Sequence, residues 1–404
     1  MKLKGKWIAP VIGVLALALV ASACTPAATP TATPIPKVPA STAVPAAAPT
    51  TPPAAATSAP APAATSVPTK PPAPAATSAP TTAAAKPAAG LTLVRVGGLP
   101  GSVADSGFHI GIAKGYFKDQ GLDVQVTPFQ SATFMIAPLA SGDLEIGGGT
   151  ISAALFNAIE RGVPMKLVGT KGSNIEGYDF SWMAVRKDLI DSGQIKTPAD
   201  LKGRKVAVTA LAGGGEAIAA NLLKQGGLTI KDVDLLGLAT PDMLTGFANK
   251  GIDAAVQMES ALTATVEQGL AVRWQGSHTI YGGQYQAAEL IASEQFMKNT
   301  DVARRFMVAY LKSLRDYNDA FVKKVNRADI VAIIAKATNM DPALFDKMGM
   351  PYLDPDGKMD VNSMKMDLDY FKQMGYYTGK LELQPQIDTQ FIDYALQQLG
   401  PYKK

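Results

Sequence analysis

Residues 139–154 read LASGDLEIGGGTISAA, and their order decides the fold class. Leu144 and Ile146 suit a short buried strand, while Gly147 to Gly149, lacking a Cβ, would let a ligand come close to the backbone. Thr150 and Ser152 stand where N-caps belong. The next helix would then open with free N–H groups and a positive dipole end aimed at the glycines. Strand, glycine loop and helix start, in that order, predict an α/β unit with a binding crevice at the strand's carboxyl end. An ordinary β-loop-α connection is the plain alternative for this stretch taken alone.

Working outward, LTLVRV at 91–96 predicts a first strand, followed by a turn rich in Gly and Pro. Asp105 and Ser106 offer N-caps for a helix through His109, Ile112 and Phe117, which Gly121 ends. LDVQVTPF supplies a second strand, and Ser131 could cap the helix that leads into LASG. Downstream come the helix SAALFNAIERG, the strand MKLVG, a polar and flexible KGSNIEGYDF, and the strand SWMAVR at 181–186. There the rhythm restarts. TPADLKGRKVAV, ALAGGGE, AIAANLLKQGG, DVDLLGL, PDMLTGFANKG and IDAAVQM spell a second run of β and α segments, so two lobes are expected. QAAELIAS at 286–293 predicts a strand returning to the first lobe, and the rest is mostly amphipathic helix. One face of the longest helix gathers Phe306, Val308, Ala309, Leu311, Leu314 and Tyr317, which reads as packing.

The 404 residues carry a net charge of only +4, with no basic run interleaved with aromatics, which argues against a nucleic-acid partner. One cysteine and two histidines exclude a disulfide scaffold and leave carboxylates to build any zinc site. Lys2, Lys4 and Lys6 precede an apolar run from Trp7 to Val20 and the small residues Ala21, Ser22 and Ala23, the pattern of an export signal. Pro10 and Gly13 interrupt that run, so a permanent transmembrane anchor is the weaker reading. ASAC resembles a bacterial lipobox, with Ala21 where Leu is commoner, which would make Cys24 the lipidated first residue of the mature chain. Thr25 to Gly90 is almost all Ala, Pro, Thr and Ser, a composition that predicts a disordered tether reaching at most on the order of 200 Å. Residues 1–23 are thus expected as signal, 24–90 as lipidated cysteine and linker.

Six segments carry a family resemblance: HIGIAKGYFKDQGLDVQV (109–126), ASGDLEIG (140–147), ERGVPMKLVG (160–169), TPADLKGRKVAV (197–208), GLTIKDVDL (227–235) and NKGIDAAV (249–256). In this order and spacing the chain resembles substrate-binding proteins of ABC importers, of the nitrate, sulfonate and taurine type that includes thiamin-pyrimidine binders. The resemblance implies a two-lobe type II periplasmic-binding-protein fold, α/β throughout, closing on a solute by hinge motion at two connecting strands. Lobe one would comprise 91–182 and 284–404, including the C-terminal helices, and lobe two 183–283. The hinges fall near Tyr178 to Val185 and Tyr281 to Glu289.

Carried onto matching positions, the resemblance implies a ligand site of Ser102 and Asp105 after strand one, Ser131 and Thr133 after strand two, and Thr150 and Ser152. Asn174 and Tyr178 join before the first hinge. Gly214, Gly215, Glu216, Gln257 and Glu259 come from lobe two, and Tyr281 and Tyr285 from the return hinge. Cap, turn or solvated loop is the plain alternative for each one singly. Sulfonate binders of the family resemble one another in a Ser-rich turn where this chain has AGGGE, and often a WDP-like run where it has QMES. Glu216 would repel a sulfonate or occupy the positive helix end itself, and with Asp105 and Glu259 also candidates and no arginine in these loops, the pocket leans away from a small inorganic anion. A heteroaromatic or amine-bearing solute, held between Tyr178, Tyr281 and Trp182, is therefore expected ahead of sulfonate or nitrate.

The function implied is an extracytoplasmic, lipid-anchored, monomeric receptor that passes its solute to an ABC permease and ATPase, with no cofactor or metal and no catalysis. A solute-sensing lipoprotein is one alternative. An enzyme like the pyrimidine synthases of thiamin biosynthesis is another, which the lack of their Cys-rich motif disfavours. DPDGKMD at 354–360 lacks the ligand spacing of a calcium loop and reads as a turn. His109 and His278 have no obvious acidic partner in sequence and read as satisfied or exposed imidazoles.

Overall fold

The computed structural model describes residues 90–403. The expected export signal, the expected lipidated Cys24 and almost all of the expected Pro/Ala/Thr tether lie outside the described residues. Among the described residues no helix is long and apolar enough to cross a membrane.

Among the described residues, ten strands form two five-stranded sheets. They are β1 (Thr92–Gly98), β2 (Leu122–Pro128), β3 (Ile146–Gly149), β4 (Lys166–Asn174), β5 (Ser181–Arg186), β6 (Lys205–Val208), β7 (Asp234–Gly237), β8 (Ala254–Met258), β9 (Ala271–Gly276) and β10 (Tyr285–Ala292). The first sheet runs β2-β1-β3-β10-β4 and the second β7-β6-β8-β5-β9. In each, three strands are parallel neighbours and one strand runs antiparallel between two others: β10 between β3 and β4, β5 between β8 and β9. Each inserted strand follows one of the two chain crossings between the sheets, through residues 175–180 and 277–284. This is the two-lobe, type II arrangement expected from the sequence. The expected lobe boundary after Trp182 falls inside β5, where Trp182 pairs with Gln257 and Gly276 of the second sheet.

Alternating apolar residues explain the sheets' burial: Val94 and Val96 of β1, Leu167 of β4, Val206 and Val208 of β6 are buried. The helix Thr300–Phe321 packs against Ser106–Ala113 and the C-terminal Gln390–Leu399. Its Phe306 and Tyr310 sit 5.2 Å from the Phe117 ring and 5.4 Å from the Phe108 ring, so its apolar face is packing. Buried apolar side chains at this density are the main stabilising term.

Three local expectations are corrected. The helix read from Asp105 through Phe117 is two, Ser106–Ala113 and Tyr116–Asp119, because Gly115 at φ 77° turns the chain between them. Residues 171–174 do not open a flexible loop; they continue β4 and are fully buried, because antiparallel pairing with β10 supplies their backbone partners. Gly147 to Gly149 are not a loop either. They are β3 itself, paired to β10 in the register Gly149 to Glu289, Gly148 to Leu290 and Gly147 to Ile291. The 354–360 segment closes as a turn in which the Asp354 carboxylate accepts from the Asp356 and Lys358 N–H groups.

Candidate functional site

Where the lobes meet, one loop from each comes together. Ser152 pairs in a β-bridge with Gly213, and Ala153 N–H donates to the Ala212 carbonyl at 3.2 Å. A side chain on Gly214 would overlap the Thr150 methyl and lie close to the Tyr285 hydroxyl. Thr150 does not cap the following helix: its hydroxyl donates to the Ala287 carbonyl at 2.7 Å, and Ser152 takes the cap by accepting from Leu155 N–H. Gly214, Gly215 and Glu216 open the helix Gly214–Gln225.

Behind this contact lies a buried polar cluster that the sequence reading did not assemble. Lys171 of β4 and Asp105 pair at 2.6 Å, with side chains 0% and 1% exposed. The Asp105 carboxylate also accepts from Leu99 N–H at 2.8 Å, which takes it away from helix capping. The Lys171 stem crosses Gly148, where a Cβ would lie 2.5 Å from Lys171 Cδ, so the glycine clears space for the chain's own lysine. Glu289 of β10 is fully buried and neither carboxyl oxygen completes a hydrogen bond. The Ile151 N–H is directed at it but does not reach bonding geometry. Asp367, on the helix Val361–Gln373, accepts from the hydroxyls of Tyr281 and Tyr285, whose rings lie 4.2 Å apart. On the second sheet, Gln257 at the end of β8 has a fully buried amide with no hydrogen-bond partner.

Other expected site residues are committed elsewhere. Glu216 does not face a guest as a free carboxylate: it accepts from Ala212 N–H at 2.8 Å and from the Tyr370 hydroxyl at 2.6 Å. Glu259 pairs with Arg273 at 2.7 Å and accepts from Thr263, because an arginine on β9 reaches it, which the loops alone did not suggest. Asn174 braces the first crossing by donating to Ser181 and accepting from Phe180 N–H. The expected cage of Tyr178, Tyr281 and Trp182 does not form. Tyr178 turns to Tyr352 and lines a separate cavity of about 600 Å³ with Phe321 and Arg327. Trp182 donates to the Asp179 carbonyl, and Tyr281 faces Tyr285 and Asp367. Thr133 is exposed, and Ser102 and Ser131 are partly buried without capping contacts. His278 does have an acidic partner: its Nδ1 meets Asp179, joining the two crossings. The chain separation of the two residues hides that pair in the sequence.

The NMT1/THI5-like family model matches residues 105–319, more than half of the chain. The chain belongs to the NMT1/THI5-like family. A protein of Brucella abortus named only as a candidate binding protein is 24% identical over 253 residues, covering 62% of this chain and 73% of that one. The alkanesulfonate-binding protein of Xanthomonas axonopodis pv. citri, solved with MOPS, superposes with TM-score 0.58 at 16% identity, covering 75% of this chain and all of the other. The nitrate-binding protein of Synechocystis superposes with TM-score 0.60 at 14% identity over 77% of this chain and 89% of the other. The desulfurization enzyme DSZB does so with TM-score 0.53 at 13% identity, over 76% and 99%. At these identities the solved structures establish a shared fold.

Burial sets the protonation chemistry of this NMT1/THI5-like chain. It raises the Glu289 carboxyl well above the usual range, and the neighbouring Asp367 raises it further against the smaller opposing pulls of the Ile151 N–H and Lys171. Asp367 is pushed up to about 7, again by burial, with the two tyrosine hydroxyls opposing. The same burial raises Tyr281 and Tyr285, so both stay protonated donors. His109 is lowered by burial, which outweighs the attraction of Asp105. His109 and Asp105 line a cavity of about 300 Å³ with Gly98, Leu99, Val126 and Pro128. Signals for the missed residues did exist. Lys171 and Glu289 interrupt strand-like apolar runs, where an unpaired charge is costly. Asp367 sits among Met364, Leu368 and Phe371 on the buried stripe of its helix.

Proposed function

We propose that this chain is an extracytoplasmic solute receptor that captures a small organic solute between its lobes and delivers it to the permease and ATPase of an ABC importer. It works as a monomer, held to the membrane by a lipid on Cys24 and spaced from it by the 25–90 tether. The observation that carries the reading is the seam: a loop from each lobe meets at Thr150 and Gly214, and the polar groups of Glu289 and Gln257 lie buried without partners. Buried polar atoms left unmet cost about 1–3 kcal/mol each, which a bound solute's donors and acceptors would recover. Family membership and the shared fold support the same role. Of the residues expected from the sequence, Thr150, Ser152, Gly214, Gly215, Gln257, Tyr281 and Tyr285 remain at the proposed site.

The guest we favour is a heteroaromatic or amine-bearing solute over a sulfonate or nitrate, because the one lysine in the cluster is already paired with Asp105. We infer no catalytic role; the desulfurization enzyme's likeness at 13% identity extends to the fold alone. Mass spectrometry of small molecules released on denaturing the full chain purified from its native host tests the reading. One nitrogen-bearing organic compound should be recovered, and adding it back should stabilise the protein by about 2.7 kcal/mol at a hundredfold excess over Kd. Recovery of no compound, or turnover of the compound on incubation, would count against a receptor.

A further inference from the structure

We propose that Glu289, seconded by Asp367, is the group that recognises the guest's charge: it receives an ammonium or amidinium nitrogen in the place of a proton. This rests on the receptor reading above and assigns the part of that site the family's known anions would not use.

A tally of charges and donors around the seam carries the assignment. Facing the cluster are Glu289 from β10, Asp367 from the helix Val361–Gln373, Asp105 after β1, Lys171 from β4 and His109 beside Asp105. Glu216 comes from the other lobe. Each acid but one has its donors. Lys171 and Leu99 N–H serve Asp105, the Tyr281 and Tyr285 hydroxyls serve Asp367, and Ala212 N–H and Tyr370 serve Glu216. Glu289, at 0% exposure, completes no hydrogen bond; only the Ile151 and Glu289 backbone N–H groups point toward it.

A buried carboxyl without donors is held neutral by its proton or paired with a cation. The positive charge available locally is spent on Asp105, so an anionic guest would meet an excess of acids. A cationic guest with several N–H donors meets an acceptor neither of whose oxygens has completed a hydrogen bond. On binding, the Glu289 carboxyl gives its proton to solvent and the guest keeps its own, so one proton is released for each guest bound. Burial keeps that proton on Glu289 in the free protein, so affinity strengthens as pH rises.

Calorimetry on the full chain with benzamidine, neutral benzamide and benzenesulfonate, each in two buffers of different ionisation enthalpy, tests this. Benzamidine should bind best and release about one proton per molecule. Glu289→Gln should keep the fold, weaken benzamidine at least about tenfold and abolish the proton release. Proton counting on the unaltered chain stands even if that variant fails to fold. Tight benzenesulfonate binding without proton release overturns the charge assignment and leaves the receptor reading standing. Equal binding of benzamide and benzamidine, or an unchanged Glu289→Gln affinity, also overturns it. Binding of none of the three probes, with no solute recovered from the native chain, overturns both.

Discussion

Gly147–Gly149 of the first lobe and Gly213–Gly215 of the second are the same three letters put to different uses. The first run is a strand with neighbours on both sides, and its missing side chains make room for Met135, Leu139 and the Lys171 stem. The second starts a helix, and its missing side chains let Thr150 of the other lobe come close. Clearance in the first run belongs to packing within one sheet, whereas clearance in the second belongs to contact between the two lobes. Each place where a guest might have been drawn to bare glycine backbone is instead held by the chain's own charged side chain, Lys171 in one case and Glu216 in the other.

The largest test of that division removes the charge that the first run accommodates. Lys171→Met should destabilise the protein by about 3–5 kcal/mol in denaturant unfolding, because it leaves Asp105 buried and unpaired. A loss under about 1 kcal/mol would mean that the pair is not buried as described. Next is Asp367. Its folded pKa of about 7 lies above the ordinary 3.8, so its protonated form favours the fold. That stability is full below about pH 4, declines as pH rises to about 7, and amounts to at most about 4 kcal/mol. Asp367→Asn should flatten the melting temperature against pH over this window; an unchanged slope would rule out Asp367 as its source. The smallest and sharpest test sets the two glycine runs against each other. Gly148→Ala should cost about 1–3 kcal/mol by overpacking Lys171, with solute affinity changed only through stability. Gly214→Ala should leave the melting temperature nearly untouched and weaken solute binding about tenfold, by holding the lobes apart at Thr150. The reverse pattern would exchange the roles assigned to the two runs.

Most of the fold was legible in the sequence because its signals are local. Apolar alternation in LTLVRV, the caps and glycines between segments, and the restart after SWMAVR each report on a few neighbouring residues. The site was legible only in part. Thr150, Gly214 and Tyr285 stand at loops and strand ends where a ligand crevice is expected, and the structure brings them together. Glu216, Glu259 and Asn174 look just as suitable in sequence, yet Tyr370 from a distant helix, Arg273 from the next strand and Ser181 from across the first crossing claim them. In sequence Lys171 looks like the start of a polar loop, because a lysine after MKLVG resembles a strand ending. Only the pairing with β10, more than a hundred residues on, turns KGSN into buried strand.

The place of β10 in the first sheet has a consequence for biosynthesis. β10 lies between β3 and β4, so those two strands have no shared neighbour until residue 292 has left the ribosome. All five strands of the second sheet have emerged by Gly276. The lobe whose chain begins first is therefore the one completed last, and its half-built edge at Gly147–Gly149 must wait, unpaired, while a whole second core is translated.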